Sequence, residues 1–316
     1  MNYFIIIAMG IVFSLIFGKI YIPLLKRLHA GQSIREDGPK SHLVKSGTPT
    51  IGGIIFLTSV ILTTLIAKNF KLSVVMILFS TLGFGLVGFI DDYIKVVKKR
   101  NLGLRAYQKL ALQILVTVIL LVYQYNSSNF QTDLYIPFLK DYYSFGWFYV
   151  PFILFVVVGT VNSVNLTDGL DGLSSSVTII ALGFFAVCSV KFNRPEIAFF
   201  CVALMGALIG FLFFNKYPAK VFMGDTGSLA LGGAISAIAV LLNIPLILPI
   251  AGGIYFIETL SVIIQVISFK TRGKRVFLMS PLHHHFEHKG WHERKVVYVF
   301  CTVELILCVI SYFILF

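Results

Sequence analysis

The chain has 316 residues, 57% of them hydrophobic and 13% charged, with a mean hydropathy of +0.88 and a formal net charge of +12. So few charges, about half the usual share for a soluble domain, exclude a single water-soluble globule, and so much apolar surface excludes a disordered chain. At ~20 residues per crossing, the length admits at most about ten to twelve membrane helices and leaves little for a separate soluble domain.

Long apolar runs bounded by charge predict ten spans, at 2–24, 50–67, 72–90, 107–125, 147–164, 174–190, 196–214, 227–243, 246–268 and 296–316. The expected fold is therefore all-α, a polytopic integral membrane protein. Backbone in lipid must satisfy its own hydrogen bonds, and these runs are too long for barrel strands. The first run has no basic start and is read as a retained span rather than a cleaved leader. The fifth and sixth spans are the least regular, because Asn162, Asn165, Asp168 and Asp171 interrupt them. Pro245, Pro249, Gly252 and Gly253 are potential breaks in the ninth. Segment 126–146 reads as the longest outer loop, with room for a short hairpin. No repeat or linker divides the chain, so residues 1–316 are taken as one transmembrane catalytic domain.

Twenty of the 26 basic residues fall on alternate loops that share one side. The positive-inside rule places those loops in the cytoplasm and both termini outside. Asp91, Asp92, Asp168, Asp171 and Asp225 gather on the same side, although acids took no part in assigning it. A carboxylate at the end of a span is costly unless it is paired, hydrated or bound to a cation. Glu258 and Glu304 lie within spans, where helix–helix hydrogen bonding is the plainer explanation. The four cysteines also lie within spans and form no CxxC pair, so they are read as apolar fillers.

Three acidic segments carry the chemistry. In GFIDDYIKVVKK, Asp91 and Lys95 share a helical face, either as a solvated ion pair or as a proton acceptor beside a phosphate-binding lysine. In NSVNLTDGLDGLSS, Asn165, Asp168 and Asp171 recur every third residue among glycines that allow close ligand approach. A single helix cap would need only one acid. In KVFMGDTGSLALGG, Asp225 precedes a helix whose first amides could face an anion. His283, His284 and His285 are expected on a loop, where all three could turn to one ligand; a solvated run is the alternative. The first loop carries Lys45, Thr50 and a glycine-rich turn suited to phosphate. Phe222 is an aromatic in a polar loop, placed either to stack on a base or to anchor at the interface.

Oxygen ligands without cysteine favour Mg²⁺ or Mn²⁺, and Mg²⁺ beside lysines, histidines and helix N-termini suits a pyrophosphate. A site of this kind on one membrane face suits transfer of a phospho-group from a soluble donor to a lipid. A secondary transporter is the competing class, but its acids would sit at the midplane and no inverted repeat is visible. A zinc protease would need HExxH, which is absent.

The stretches GPKSHLVKSGTPTIGG, GFIDDYIKVVKK, NLTDGLDGL, FMGDTGSLALGG and PLHHHFEHKGW run from residue 38 to 291. Together they resemble the polyprenyl-phosphate N-acetylhexosamine-1-phosphate transferase superfamily. PLHHHFE with the GTPT segment resembles its muramoyl-pentapeptide branch. The resemblance implies transfer of phospho-MurNAc-pentapeptide from UDP-MurNAc-pentapeptide to undecaprenyl phosphate, giving lipid I and UMP in peptidoglycan synthesis. It also implies Mg²⁺ dependence, a homodimer, the bacterial plasma membrane with the site on the cytoplasmic face, and no nucleic-acid partner. On the matching positions it implies Asp225 as metal ligand, and Asp91 and Asp92 as an essential pair. Asp168 and Asn165 would lie near pyrophosphate and ribose. Lys45, Thr50, Gly169, Leu170, Asp171, Phe222 and Gln265 would line the uridine pocket, with Asn215 and Gly224 beside it. His283, His284 and His285 would form the histidine motif, and Lys95 and Lys109 would lie near phosphate.

Overall fold

The computed structural model describes residues 2–28, 47–68, 70–97, 103–126 and 132–316. Helices occupy all ten predicted positions: α1 (Tyr3–Arg27), α2 (Gly53–Ile66), α3 (Leu72–Val97), α4 (Ala106–Tyr125), α5 (Tyr149–Thr167), α6 (Leu173–Lys191), α7 (Pro195–Asn215), α8 (Gly224–Leu241), then α9 (Leu248–Ala251) with α10 (Gly253–Arg272), and, after the short α11 (Leu282–His288), α12 (Glu293–Leu315). Among the described residues, nine helices are long and apolar enough to cross a membrane. The protein is a multi-pass membrane protein.

One expected span needs correction, one expected break is found, and one helix runs beyond its apolar span. The second span is only 14 residues long, shorter than the 50–67 run, because Thr50, Ile51 and Gly52 stay outside the helix, and the Gly52 amide pairs with another loop. The ninth run is broken at Gly252, where backbone at φ −124°, ψ 39° separates the four-residue α9 from α10. The buried Glu304 of α12 accepts the Ile254 amide at 3.0 Å, so the open start of α10 is satisfied by a side chain. The third helix runs past 90 to Val97 and carries Asp91, Asp92 and Lys95 as helical residues. The outer segment holds a two-stranded antiparallel hairpin, β1 (Asp133–Ile136) with β2 (Asp141–Ser144), in register Asp133 to Ser144. It is tied to the helices by Tyr135, whose amide donates to Asn243 and whose hydroxyl donates to the Leu315 carbonyl.

α8 is the centre of the bundle. It is buried almost throughout, and its side chains are mostly small. Gly232 lies against the Val161 backbone of α5, and Gly233 lies against Phe84 of α3. Small residues let helix backbones approach closely where lipid supplies no hydrophobic drive. The start of α8 is thereby held among the ends of α3, α4 and α5.

Candidate active site

The site forms where those four ends meet. From the last turns of α3, Asp91 and Asp92 diverge, as adjacent helical residues must. Asp92 is buried, and its carboxylate accepts the Asp225 amide at 3.2 Å, the Thr226 amide at 2.9 Å and the Thr226 hydroxyl at 2.6 Å. The anion at the start of α8 is therefore a side chain of the protein, which corrects the expectation that those amides are open to a ligand. Asp92 holds the first turn of α8 and fixes where Asp225 points. Gly224 adopts φ +69°, and a Cβ there would press on Asp92 and on the hydroxyl of the buried Thr50. Only glycine fits this turn without strain.

Asp91 faces the other way. It pairs with Lys95 one turn along α3, and its Oδ1 accepts the Leu104 amide at 2.7 Å, which ties down the approach to α4. Asp225 is the hub. Its Oδ2 lies 2.9 Å from Lys95 Nζ and 3.0 Å from Lys109 Nζ, while its Oδ1 accepts the Asn165 amide group at 2.9 Å. Asn165 also donates to the Ser228 hydroxyl at 2.8 Å. Asp91 and Asp225 share Lys95 as a partner, which brings their carboxylates to one place. Asp168, just past the end of α5, is half-buried. Its crowded surroundings push its carboxyl well above the usual range, and the carboxylates of Asp225, Asp92 and Asp171 push it further.

Two carboxylates that share Lys95, with Lys109 also on Asp225, make an oxygen-donor centre whose residues could hold a compact cation. Among the described residues, no three acidic, histidine or cysteine groups form a closed cage. Mg²⁺ rarely uses such a cage; one or two carboxylates plus substrate phosphates and water are its usual ligands. Asp225, with Asp91 beside it, fits that pattern.

A second layer holds the neighbouring loop. Asp171 Oδ2 accepts the Ala219 amide at 2.9 Å, and the Asp171 amide donates to Glu293 of α12. Asn215 accepts from Ser175 at 2.8 Å and donates to the Val221 carbonyl at 3.1 Å. Both side chains, expected at the uridine, brace residues 216–222 from within. Leu170 is buried beside them. Phe222 pairs through its backbone with Pro49 and Gly52, which leaves its ring partly exposed at the rim. Gln265 gives its amide group to the loop after α10, accepting from Val276 and Phe277 and donating to the Phe277 carbonyl. Lys45 lies outside the described residues.

The histidines are not on a loop. Pro281 precedes α11, and all three lie in its first turns, with the rings of His283 and His284 in edge contact at 4.1 Å and His285 packed against Phe277 and Phe286. His283 is buried against Glu258 and Gly169. His284 Nδ1 lies 2.8 Å from Glu287, and His285 Nδ1 accepts the Leu278 amide at 3.1 Å. Burial, with Lys289 and His288 nearby, lowers the pKa of His285. Glu258 was expected to hydrogen bond between helices, whereas the supporting roles of Glu293, Thr226 and Ser228 were not singled out from sequence. The only signal for them is a polar residue at or near a helix start, which ordinary capping also explains.

A single membrane face with buried acids, paired lysines and a histidine helix defines a class of membrane-embedded group-transfer protein. The family model for Glycosyl transferase family 4 matches residues 74–243, which takes in nearly all of α3 and everything through α8. The phospho-N-acetylmuramoyl-pentapeptide-transferase of Clostridium botulinum (strain Eklund 17B / Type B) is 54% identical over 307 residues, covering 97% of this chain and 94% of that protein. The enzyme of the same name from Bacillus subtilis (strain 168) is 53% identical over 313 residues, covering 98% and 96%. The chain belongs to the phospho-N-acetylmuramoyl-pentapeptide-transferases of glycosyl transferase family 4.

Proposed function

We propose that the chain transfers phospho-MurNAc-pentapeptide from UDP-MurNAc-pentapeptide to undecaprenyl phosphate at the cytoplasmic face of a bacterial membrane, with Mg²⁺, and works as a homodimer. Family membership over nearly the full length supports the substrates. The observation that carries the chemistry is the convergence of Asp91, Asp225, Lys95, Lys109 and Asn165 from four helix ends. The site faces the same way as the loops that hold most of the basic residues, which supports its cytoplasmic side.

The reaction forms a bond from a lipid phosphate oxygen to the sugar-bearing phosphorus, and the bond from that phosphorus to the oxygen bridging it to UMP breaks, releasing UMP. Mg²⁺ on Asp225 would neutralise pyrophosphate charge as it builds on the departing UMP. Lys95 and Lys109 add positive charge beside the same oxygens. The lipid phosphate is already largely ionised near neutral pH, its second pKa being about 6. Asp91 therefore orients the acceptor more than it deprotonates it. Phe222 is placed at the rim for stacking on the uracil.

Purified protein in lipid, given both substrates with and without Mg²⁺, tests the reading through UMP and lipid product. Product only with Mg²⁺ and both substrates is expected. Turnover of UDP-GlcNAc alone would refute the substrate assignment. UMP released at one equivalent per enzyme without lipid acceptor would overturn direct attack in favour of a phospho-enzyme.

A further inference from the structure

Glu258 sits inside α10, fully buried, where an acid needs partners. Its partners lie 24 and 25 residues away, in the first turn of α11. Oε2 accepts the Leu282 amide at 2.6 Å, and Oε1 accepts the His283 amide at 3.2 Å and lies 3.0 Å from His283 Nδ1. Two of these groups can only donate. Nδ1 can take either role, and the arrangement in which all three neighbours donate to the Glu258 oxygens places the hydrogen of the third contact on Nδ1.

That arrangement determines the far side of the ring. His283 Nε2 is buried and has no hydrogen-bond partner among the described residues. It lies against Gly169, next to Asp168, so closely that a Cβ on residue 169 would overlap the ring. A buried polar atom without a partner is costly and calls for an explanation. Here it is aimed at the turn that borders the acidic site.

We propose that Glu258 is a positioning residue: it fixes the proton of His283 on Nδ1 and so presents Nε2, across Gly169, to a hydrogen-bonding group of the bound nucleotide sugar. The inference rests on the transferase reading above. Glu258 acts through His283, and its bond to the Leu282 amide fixes the start of the helix that carries the ring. A neutral side chain of the same shape breaks the arrangement. In Glu258→Gln the new amide group must face one of the three donors or turn the imidazole to the other tautomer.

The test is solid-state NMR of full-length protein in lipid, labelled with ¹⁵N-histidine, with the His283 signals assigned by difference from His283→Asn. The expected result is Nδ1 protonated in the free protein and an Nε2 resonance that moves when UDP-MurNAc-pentapeptide is added. In Glu258→Gln the Nδ1 proton should be lost and turnover should fall at least tenfold, while KM changes by less than about threefold. An Nε2 resonance that ignores substrate, or an Nδ1 proton that survives Glu258→Gln, overturns the proposal. If Glu258→Gln does not fold, Gly169→Ala probes the other side. It should shift the Nε2 resonance in the free protein and abolish its response to substrate, and an unchanged response counts against the proposal. Wild-type protein that forms no UMP from this donor refutes the transferase reading itself, and the NMR arms then separate the two failures.

Discussion

Both ends of the helical bundle carry ion pairs, and the contrast between them shows which one is a site. At one end, Glu196 at the start of α7 meets Arg194 at 2.8 Å and Lys71 at 3.4 Å. Arg194 comes from the turn just before α7 and Lys71 from the segment before α3, and although Glu196 itself is largely covered, both cations reach into solvent. Such pairs contribute little, typically under ~1 kcal/mol. At the other end, Asp225 is held by α3, α4 and α5 at once, and Asp92 is buried beneath it. Capping a first turn does not require side chains from three other helices. Several acids and two partly sheltered lysines drawn from four helices mark function where a single acid with two solvent-reaching cations does not.

Substitutions can break that contrast in graded steps. The largest effect is expected for Asp225→Asn, which keeps the shape of the side chain but loses the charge and can accept from Asn165 or from the lysines, not from both. Turnover should fall by ~10²-fold or more with the thermal midpoint nearly unchanged, since removing one electrostatic stabiliser of a transition state has that scale. Asp92→Asn comes next, and its signature differs. An amide cannot accept from the Asp225 amide and from Thr226 with both of its ends. The protein should lose about 1–3 kcal/mol of stability, read as a lower thermal midpoint, along with part of its turnover. Phe222→Ala should weaken uridine-containing ligands by about tenfold in a binding titration, the scale of one base–aromatic stack. Unchanged affinity would make the ring an interfacial anchor instead. Glu196→Gln, at the opposite end, should change turnover by less than about twofold, because an exposed pair contributes so little; a large loss would erase the distinction between the two ends.

Much of the bundle was readable from periodicity and charge alone, because lipid demands long apolar helices and tolerates few ionised groups. The ends were harder to read. The third apolar run ends at 90, and Asp91 and Lys95 were expected to share a helical face beyond it, but nothing local showed that the charges of that last turn find partners at the starts of α4 and α8. The Asp225 turn was expected to offer its amides to a ligand, and no local rule could show that Asp92, 133 residues earlier, would occupy them. The histidine triplet looked like a loop for a related reason. Its helix is only seven residues long and is held by Glu258 from another span. Glu258 and Glu304 do form the hydrogen bonds expected of intramembrane acids. What sequence could not give was their partners, which are backbone amides at helix starts.

The brevity of α2 has a consequence for the membrane itself. At 1.5 Å per residue its 14 residues rise about 21 Å, against a hydrocarbon core of about 30 Å. A lipid-facing helix of that length would thin the bilayer around it. α2 is instead largely sheltered, and the amides of Gly52 and Gly53 at its start donate to Phe222 and Met223 rather than to headgroups or water. Its start therefore does not have to reach the headgroup plane. The floor of the site can lie at the depth where a polyprenyl chain carries its phosphate, so a greasy acceptor and a water-borne donor can meet without either changing phase.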